Sequence, residues 1–138
     1  MSVSKDAALD FYHACEAGKG WSGCAEFCHP GAGFSAQAGA LAEMKTLEEY
    51  CDWMAGVLTI MPDASYDLKA VGADEGNGNV TIFGVFRGTH TADGGPVPPT
   101  GKKTESDYVY VADMRDGKIA HMTKIWNDGW AFNQLGWA

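Results

Sequence analysis

The chain has 138 residues, of which 46% are hydrophobic, 12% aromatic and 20% charged, and its net charge at pH 7 is −8. This length and composition predict a single domain over residues 1–138 with a substantial apolar core, and they exclude an intrinsically disordered chain. Lys and Arg form no basic cluster, so we expect no nucleic-acid partner.

The sequence also bears on location and on metal binding. No stretch approaches the roughly 20 continuous apolar residues of a membrane span, and MSVSKDAALD lacks the apolar segment of a signal peptide. We therefore expect no membrane partner and a cytoplasmic location. The four cysteines form no CxxC motif, which favours buried free thiols over a metal site. Cys24, Cys28 and His29 remain an alternative ligand set.

Helical patterns dominate the first part of the chain. A helix is predicted from Ser4 to about Ala17, where EAGKG ends it; its apolar face holds Ala8, Phe11, Tyr12 and Cys15. A shorter helix is predicted from Trp21 to Cys28, because Pro30 disfavours helical geometry in the residue before it. The segment AGFSAQAGALAEM that follows predicts an early hairpin.

A long helix and then strands follow. Thr46 and Glu49 have the spacing of a capping box, and the helix that they begin is predicted to end before Pro62. Alternating segments then predict an antiparallel meander of four strands: SYDLKAVGA, VTIFGVFRGTHT, KTESDYVYVADM and IAHMTKIW. WAFNQLGW predicts a short C-terminal helix that Asn127 or Asp128 would cap.

This order of elements predicts an α+β domain. The curved antiparallel sheet would wrap around the long helix, with helices before it and the short helix closing one end. A cone of this kind leaves a cavity rather than a filled interior, and we expect a small hydrophobic molecule as its ligand.

Three segments carry a family resemblance: FRGTHTADGGPVPPTGKK (86–103), MRDGKI (114–119) and NQLG (133–136). They resemble the SnoaL-like polyketide cyclases, which belong to the superfamily of nuclear transport factor 2 and ketosteroid isomerase. The resemblance implies the cone fold, a homodimer through the outer sheet face, and cofactor-free aldol cyclisation, isomerisation or lyase chemistry on a hydrophobic carbonyl compound. Some members of the superfamily only bind ligands, so a non-catalytic binding or accessory protein is the alternative.

The resemblance places the acid/base aspartate of the cyclases near Asp128, although the register also allows Asn127 or Lys124. Strand alternation puts Met122, Lys124, Trp126 and Asp128 on one face. In ketosteroid isomerase that face looks into the cavity, which implies Trp126 as a wall and Lys124 and Asp128 as polar contacts. A helix-capping role for Asp128 is the alternative.

Tyr110 falls near the position of the oxyanion-stabilising acid of ketosteroid isomerase. A phenol can donate a hydrogen bond to a developing enolate, and Tyr108 is a second candidate for that role. The proton-shuttling aspartate of the isomerase falls at Ala36 or Gln37. Neither side chain can take a proton from carbon, which argues against that isomerase activity.

His121 is the remaining candidate for catalysis. It would act as a base if it paired with Asp107 or Glu105, although regular alternation places it opposite Trp126 unless a bulge intervenes. The other residues predicted to bind the ligand are apolar or aromatic: Tyr12, Phe34, Met54, Tyr108 and Met122. Apolar spacing of this kind is also typical of core positions.

Overall fold

The structure, a computed structural model, describes residues 5–138. Its α-helices are α1 (Lys5–Glu16), α2 (Gly20–Cys24), α3 (Leu47–Ile60) and α4 (Asp128–Leu135). Its strands are β1 (Cys28–Gln37), β2 (Ser65–Asp74), β3 (Asn79–Thr89), β4 (Lys103–Arg115) and β5 (Lys118–Trp126). The predicted α+β architecture is confirmed. The predicted start of the first helix at Ser4 lies outside the described residues.

All five strands form one open sheet in the order β1-β5-β4-β3-β2. Strands β2 to β5 pair antiparallel with their chain neighbours, as the meander predicts. Strand β1 adds to the far side of β5 in parallel, with Phe34 opposite Met122 and Ala36 opposite Lys124. The sheet is therefore mixed at one edge rather than wholly antiparallel.

Two predictions for residues 20–45 are wrong. The second helix ends at Cys24, a 3₁₀ turn follows (Ala25–Phe27), and Cys28 already belongs to β1. The early hairpin is replaced by the single strand β1 and a second 3₁₀ turn (Gly39–Leu41). The partner of β1 is β5, more than 80 residues further along the chain. The local sequence therefore carried no signal for the pairing of β1 with β5. Proline at position 30 is compatible with a strand because β1 lies at the edge of the sheet.

The long helix α3 begins at the predicted capping box. Thr46 Oγ1 accepts a hydrogen bond from the Glu49 amide at 3.2 Å, and Glu49 Oε1 accepts one from the Thr46 amide at 3.0 Å. One face of α3 is buried against α2, β1 and α1: Leu47, Tyr50, Cys51, Met54, Val57 and Ile60. This i, i+3, i+4 spacing places the helix inside the curve of the sheet.

The inner face of the sheet packs against the helices. Along β5, Met122 and Lys124 are buried, and they lie opposite Ala112 and Tyr110 of β4. All four cysteines lie within the described residues, are buried and form no disulfide. No helix within residues 5–138 has the length and apolar character needed to cross a membrane.

Candidate functional site

A pocket lies between the inner face of the sheet, the C-terminal part of α3, and α4. The gaps between its wall atoms and the open space at its mouth together amount to about 460 Å³. Its wall is almost wholly apolar and aromatic, with contributions from Trp53, Met54, Val57, Met61, Phe86, Trp126, Ala131, Phe132, Leu135 and Trp137. Polar groups enter the wall from Glu16, Thr104, Ser106, Tyr108 and Lys124. A few polar groups in an apolar cleft are typical of a small-molecule site.

Hydrogen bonds fix the orientation of two of the pocket tryptophans. The Trp126 indole N–H donates to Ser106 Oγ at 3.2 Å, and the Trp137 indole N–H donates to His90 Nδ1 at 2.9 Å. His90 is the first residue after β3 and is fully buried. The aromatic wall is therefore held in place before any ligand arrives.

Glu16 is a buried carboxyl group at the inner end of the pocket. It is the last residue of α1 and only 3% exposed. Its Oε1 accepts a hydrogen bond from the Tyr108 hydroxyl at 2.6 Å, and its Oε2 accepts one from the Tyr110 hydroxyl. Tyr12, one turn earlier on α1, hydrogen-bonds the Tyr108 hydroxyl at 2.9 Å. Both oxygens of Glu16 are thus satisfied by phenols from β4.

Gly84 of β3 leaves the space in which these phenols meet. A Cβ at this position would lie 2.5 Å from the Tyr12 hydroxyl oxygen and 2.8 Å from the Tyr108 hydroxyl oxygen. Any larger residue would displace one of them, so glycine is required here by close approach rather than by backbone geometry.

Lys124 is a buried cation without a carboxylate partner. Its side chain enters the pocket wall from β5, the residue is 4% exposed, and its Nζ donates to the Tyr50 hydroxyl at 2.8 Å. No carboxylate oxygen within residues 5–138 lies within 4.0 Å of this Nζ. Five aromatic rings surround it at centroid distances of 4.5 to 6.0 Å: Trp126, Tyr50, Tyr108, Trp53 and Tyr110.

Lys124 and Glu16 are joined by a continuous chain of hydrogen bonds, which we call the relay: Lys124, Tyr50, Tyr110 and Glu16. The Tyr50 and Tyr110 hydroxyl oxygens are 2.7 Å apart. Each phenol has one proton to donate. Because Tyr110 donates to Glu16, Tyr50 must donate to Tyr110, which leaves the Tyr50 oxygen free to accept from Lys124.

Burial moves the proton affinities of the two ends of the relay toward each other. Burial raises the pKa of Glu16, although Lys124 and the two phenols partly oppose the rise. Burial lowers the pKa of Lys124 to about 8, although Glu16 partly opposes the fall. Both groups are therefore displaced toward the neutral range that suits proton transfer. Burial also raises the pKa of Tyr110 well above its usual value, so this phenol stays protonated.

The structure divides the residues predicted to bind the ligand into two groups. Met54, Tyr108, Lys124 and Trp126 line the pocket. Tyr12, Phe34 and Met122 lie in the core behind that wall, where Phe34 stacks on the Tyr50 ring at a centroid distance of 4.7 Å. Tyr110, predicted to support an enolate, is fully buried and donates its proton to Glu16.

Asp128 and His121 lie outside the pocket wall. Asp128 is the first residue of α4; its Oδ2 accepts from the Ala40 amide at 2.7 Å, and the helix cap itself is Asn127. His121 lies on the other face of β5, as the alternation predicts, and its Nε2 hydrogen-bonds Ser35 Oγ at 3.0 Å. Glu105, one of its predicted partners, is instead paired with Arg87. Catalytic roles for Asp128 and His121 remain predictions.

Sequence reasoning missed Glu16 and Tyr50. Glu16 follows Tyr12 by four residues and Ala8 by eight, so a carboxylate on the apolar face of a helix was a signal that could have found it. Tyr50 lies on the apolar face of α3, where a tyrosine is also typical of the core. No local pattern indicated that these two residues meet β4 and β5.

A family model described as the SnoaL-like domain matches residues 8–122. The chain belongs to the SnoaL-like family. This assignment confirms the family resemblance, and the matched range includes two of the three segments that carry it, residues 86–103 and 114–119. A search of curated protein sequences finds no match.

Solved structures of similar fold agree with the assignment of this SnoaL-like chain. AclR of Streptomyces galilaeus, a proposed hydroxylase, is 21% identical with a TM-score of 0.78, over 98% of this chain and 85% of that one. IdmH of Streptomyces antibioticus, a proposed polyketide cyclase, is 22% identical with a TM-score of 0.75, over 95% of this chain and 96% of IdmH. TerC, co-crystallised with polyporic acid, is 20% identical with a TM-score of 0.71, over 97% of this chain and 98% of TerC. These likenesses confirm the cone-shaped fold.

Proposed function

We propose that this SnoaL-like chain is a cofactor-free enzyme that transfers a proton beside the carbonyl group of a small, planar, hydrophobic compound. The observation that carries the proposal is the buried carboxyl of Glu16 at the inner end of an aromatic pocket. A carboxyl with a raised pKa in a site shielded from water has the properties of a general acid/base. Cyclisation by aldol closure, isomerisation and a lyase step all begin with such a transfer.

Glu16 would take the proton from the carbon next to the substrate carbonyl. An ionised carboxylate has about four lone-pair sites, and the phenols of Tyr108 and Tyr110 occupy two of them. The remaining lone pairs are free for the substrate proton. Burial raises the pKa of Glu16, so the carboxyl holds that proton more firmly than an exposed glutamate would, and it can return the proton at the end of the reaction.

Lys124 would stabilise the enolate that this transfer creates. It is in the pocket wall and its ammonium group has no carboxylate within 4.0 Å among residues 5–138, so its charge is available to a developing oxyanion. A cation in a site of low dielectric stabilises such an anion much more strongly than it would in water. Trp126, held by Ser106, would orient the planar ring system of the substrate.

A non-catalytic ligand-binding or accessory protein is the second candidate. The observation that favours it is the wall itself, which is apolar apart from the few polar groups around Glu16 and Lys124. TerC, which has the same fold, was co-crystallised with polyporic acid, so this architecture accepts a small organic molecule in that relative. Binding alone would need the wall but not the buried carboxyl.

Solvent deuterium exchange tests the enzymatic proposal. We expect the chain to accelerate exchange of the α-protons of planar aryl ketones such as 2-tetralone in D₂O, followed by NMR. Glu16→Gln should reduce this acceleration by about 100-fold or more, because it removes the general base. Glu48→Gln is the matched control, since Glu48 lies exposed on α3, and it should leave exchange unchanged.

Three outcomes would redirect the assignment. Retained exchange in Glu16→Gln would exclude Glu16 as the base, and loss of exchange in Asp128→Asn would support the aspartate that the family resemblance suggests. Binding without any exchange, measured through quenching of the pocket tryptophans, would favour the non-catalytic alternative. Circular dichroism of each variant separates loss of the base from loss of the fold.

A further inference from the structure

Lys124 has the environment of a nucleophilic amine. It is buried in the pocket wall, and its Nζ has one hydrogen-bonding partner, the Tyr50 hydroxyl, among the residues that the structure describes. The faces of Trp126 and Tyr50, the nearest of the surrounding rings, lie 4.5 and 4.8 Å away. Desolvation by apolar surroundings is one way in which proteins activate lysine for attack on carbonyl compounds.

We propose that Lys124 forms an imine with the carbonyl carbon of an aldehyde or ketone bound in the pocket. This inference rests on the proposed function for its substrate class, and it deepens that function. A protonated imine withdraws electrons from the neighbouring carbon more strongly than the carbonyl does, so Glu16 would remove the α-proton more readily. The lysine would then be a catalytic residue that bonds to the substrate, and not only a fixed charge.

The relay supplies a destination for the proton that Lys124 must lose before it can attack. A proton passed from Lys124 to Tyr50, from Tyr50 to Tyr110 and from Tyr110 to Glu16 leaves a free amine and a neutral carboxyl. Each phenol gives up one proton and gains another, so every hydroxyl in the relay still donates one hydrogen bond and accepts one. Burial lowers the pKa of Lys124 to about 8 and raises that of Glu16, which narrows the free-energy difference between the two protonation states.

The covalent step balances without any further reactant. The nitrogen lone pair of Lys124 attacks the carbonyl carbon, and the π electrons of the C=O bond move to oxygen. This oxygen then takes a proton from the attacking nitrogen, which gives a neutral carbinolamine. The C–O bond then breaks, the hydroxyl leaves as water with the proton that Glu16 had received, and the nitrogen lone pair closes the C=N bond. The products are a protonated imine, ionised Glu16 and one water molecule. Hydrolysis runs the same steps in reverse.

Reductive trapping detects this imine directly. The protein of residues 1–138 is incubated with 2-tetralone and sodium cyanoborohydride at pH 7, and the adduct is mapped by mass spectrometry of its peptides. We expect one adduct on the peptide that contains Lys124, formed at least ten times faster than adducts on exposed lysines or on the N-terminal amine. Lys124→Arg keeps a cation but no nucleophile, so it should abolish the adduct. Lys45→Arg, at an exposed lysine, should not.

A second variant tests the relay. Tyr50→Phe keeps the ring that stacks on Phe34 but removes the hydroxyl that accepts from Lys124. We expect the trapping rate to fall at least fivefold at pH 7, with ligand binding unchanged. Tyr66→Phe is the matched control, because the Tyr66 hydroxyl bonds His13 outside the relay, and it should trap at the wild-type rate. An unchanged rate in Tyr50→Phe would overturn the role of the relay.

The trapping experiment separates this inference from the proposed function. Labelling that is uniform over exposed lysines, or that persists in Lys124→Arg, would overturn the imine; deuterium exchange by the wild-type protein would then still support proton transfer by Glu16 with Lys124 as a fixed charge. An adduct on Lys124 in a protein that catalyses no exchange would support the imine and contradict the proposed proton transfer.

Discussion

Lys124 combines a formal charge with nearly complete burial, and this combination gives a measurable dependence of stability on pH. Its pKa is about 8 in the folded protein and close to that of free lysine in the unfolded chain. Between these values the unfolded chain binds more protons, so the contribution of Lys124 to the free energy of unfolding rises with pH across this window. The penalty for burying the ammonium group is present in full below pH 8.

We therefore predict that Lys124→Met changes stability differently at pH 7 and at pH 10. The free energy of unfolding of the variant minus that of the wild type should be about 2 to 3 kcal/mol more positive at pH 7 than at pH 10. Glu16 faces Lys124 and shifts this difference in stability in the same direction. The reason is that loss of the cation raises the pKa of this carboxyl further. Urea unfolding at both pH values measures the difference. Lys45→Met, at an exposed lysine, should show no such change, and a pH-independent difference for Lys124→Met would contradict the prediction.

At the scale of single residues, sequence reasoning placed some of the site and missed its centre. Strand alternation put Lys124 and Trp126 on one face of β5, and both line the pocket. The same alternation was also applied to Asp128, which does not belong to the strand, because β5 ends at Trp126 and α4 begins at Asp128. Alternation holds only while the chain remains a strand, and the boundary between the two elements fell within that pattern.

At the scale of elements, the hydroxyls of Tyr12 from α1 and Tyr108 from β4 meet beside Gly84 of β3. Gly84 has no side chain to occupy that space. We predict that Gly84→Ala lowers the free energy of unfolding by about 1 to 3 kcal/mol, because the new methyl group would overlap the Tyr12 and Tyr108 hydroxyls. The same variant should reduce proton transfer, since Tyr108 can no longer reach Glu16 in its present geometry. Urea unfolding and the deuterium exchange assay measure the two effects.

Gly72→Ala of β2 is the matched control for that prediction. A Cβ at Gly72 meets no atom within 4 Å, and both residues lie in strands of the same sheet. The control should leave stability unchanged or slightly higher, because alanine restricts the unfolded chain more than glycine does. Equal effects of the two substitutions would show that strand propensity, and not the clearance at the phenols, decides the outcome.

At the scale of the whole molecule, the family resemblance implies a homodimer through the outer face of the sheet. Ile125 is exposed on that face, 43% accessible, beside half-buried Val109 and Phe83. We predict that the chain sediments as a dimer and that Ile125→Glu converts it to a monomer, because two carboxylates would be buried across a twofold interface. Sedimentation velocity measures the change, and Thr59→Glu on the exposed side of α3 is the control. A wild-type monomer would contradict the prediction.

A cytoplasmic location and the absence of a cofactor also remain predictions.

The sequence by itself determined the order of elements from α3 onward, the α3 capping box, the four-stranded meander and the family. These features depend on periodicity, capping and turn residues, which act over a few residues and can be recognised in the linear pattern. Only the tertiary structure decided the parallel pairing of β1 with β5 and the meeting of Glu16, Tyr50, Tyr110 and Lys124. Those contacts join residues between 60 and 95 positions apart, and their energy depends on burial, which exists only when the sheet has curved around the helices.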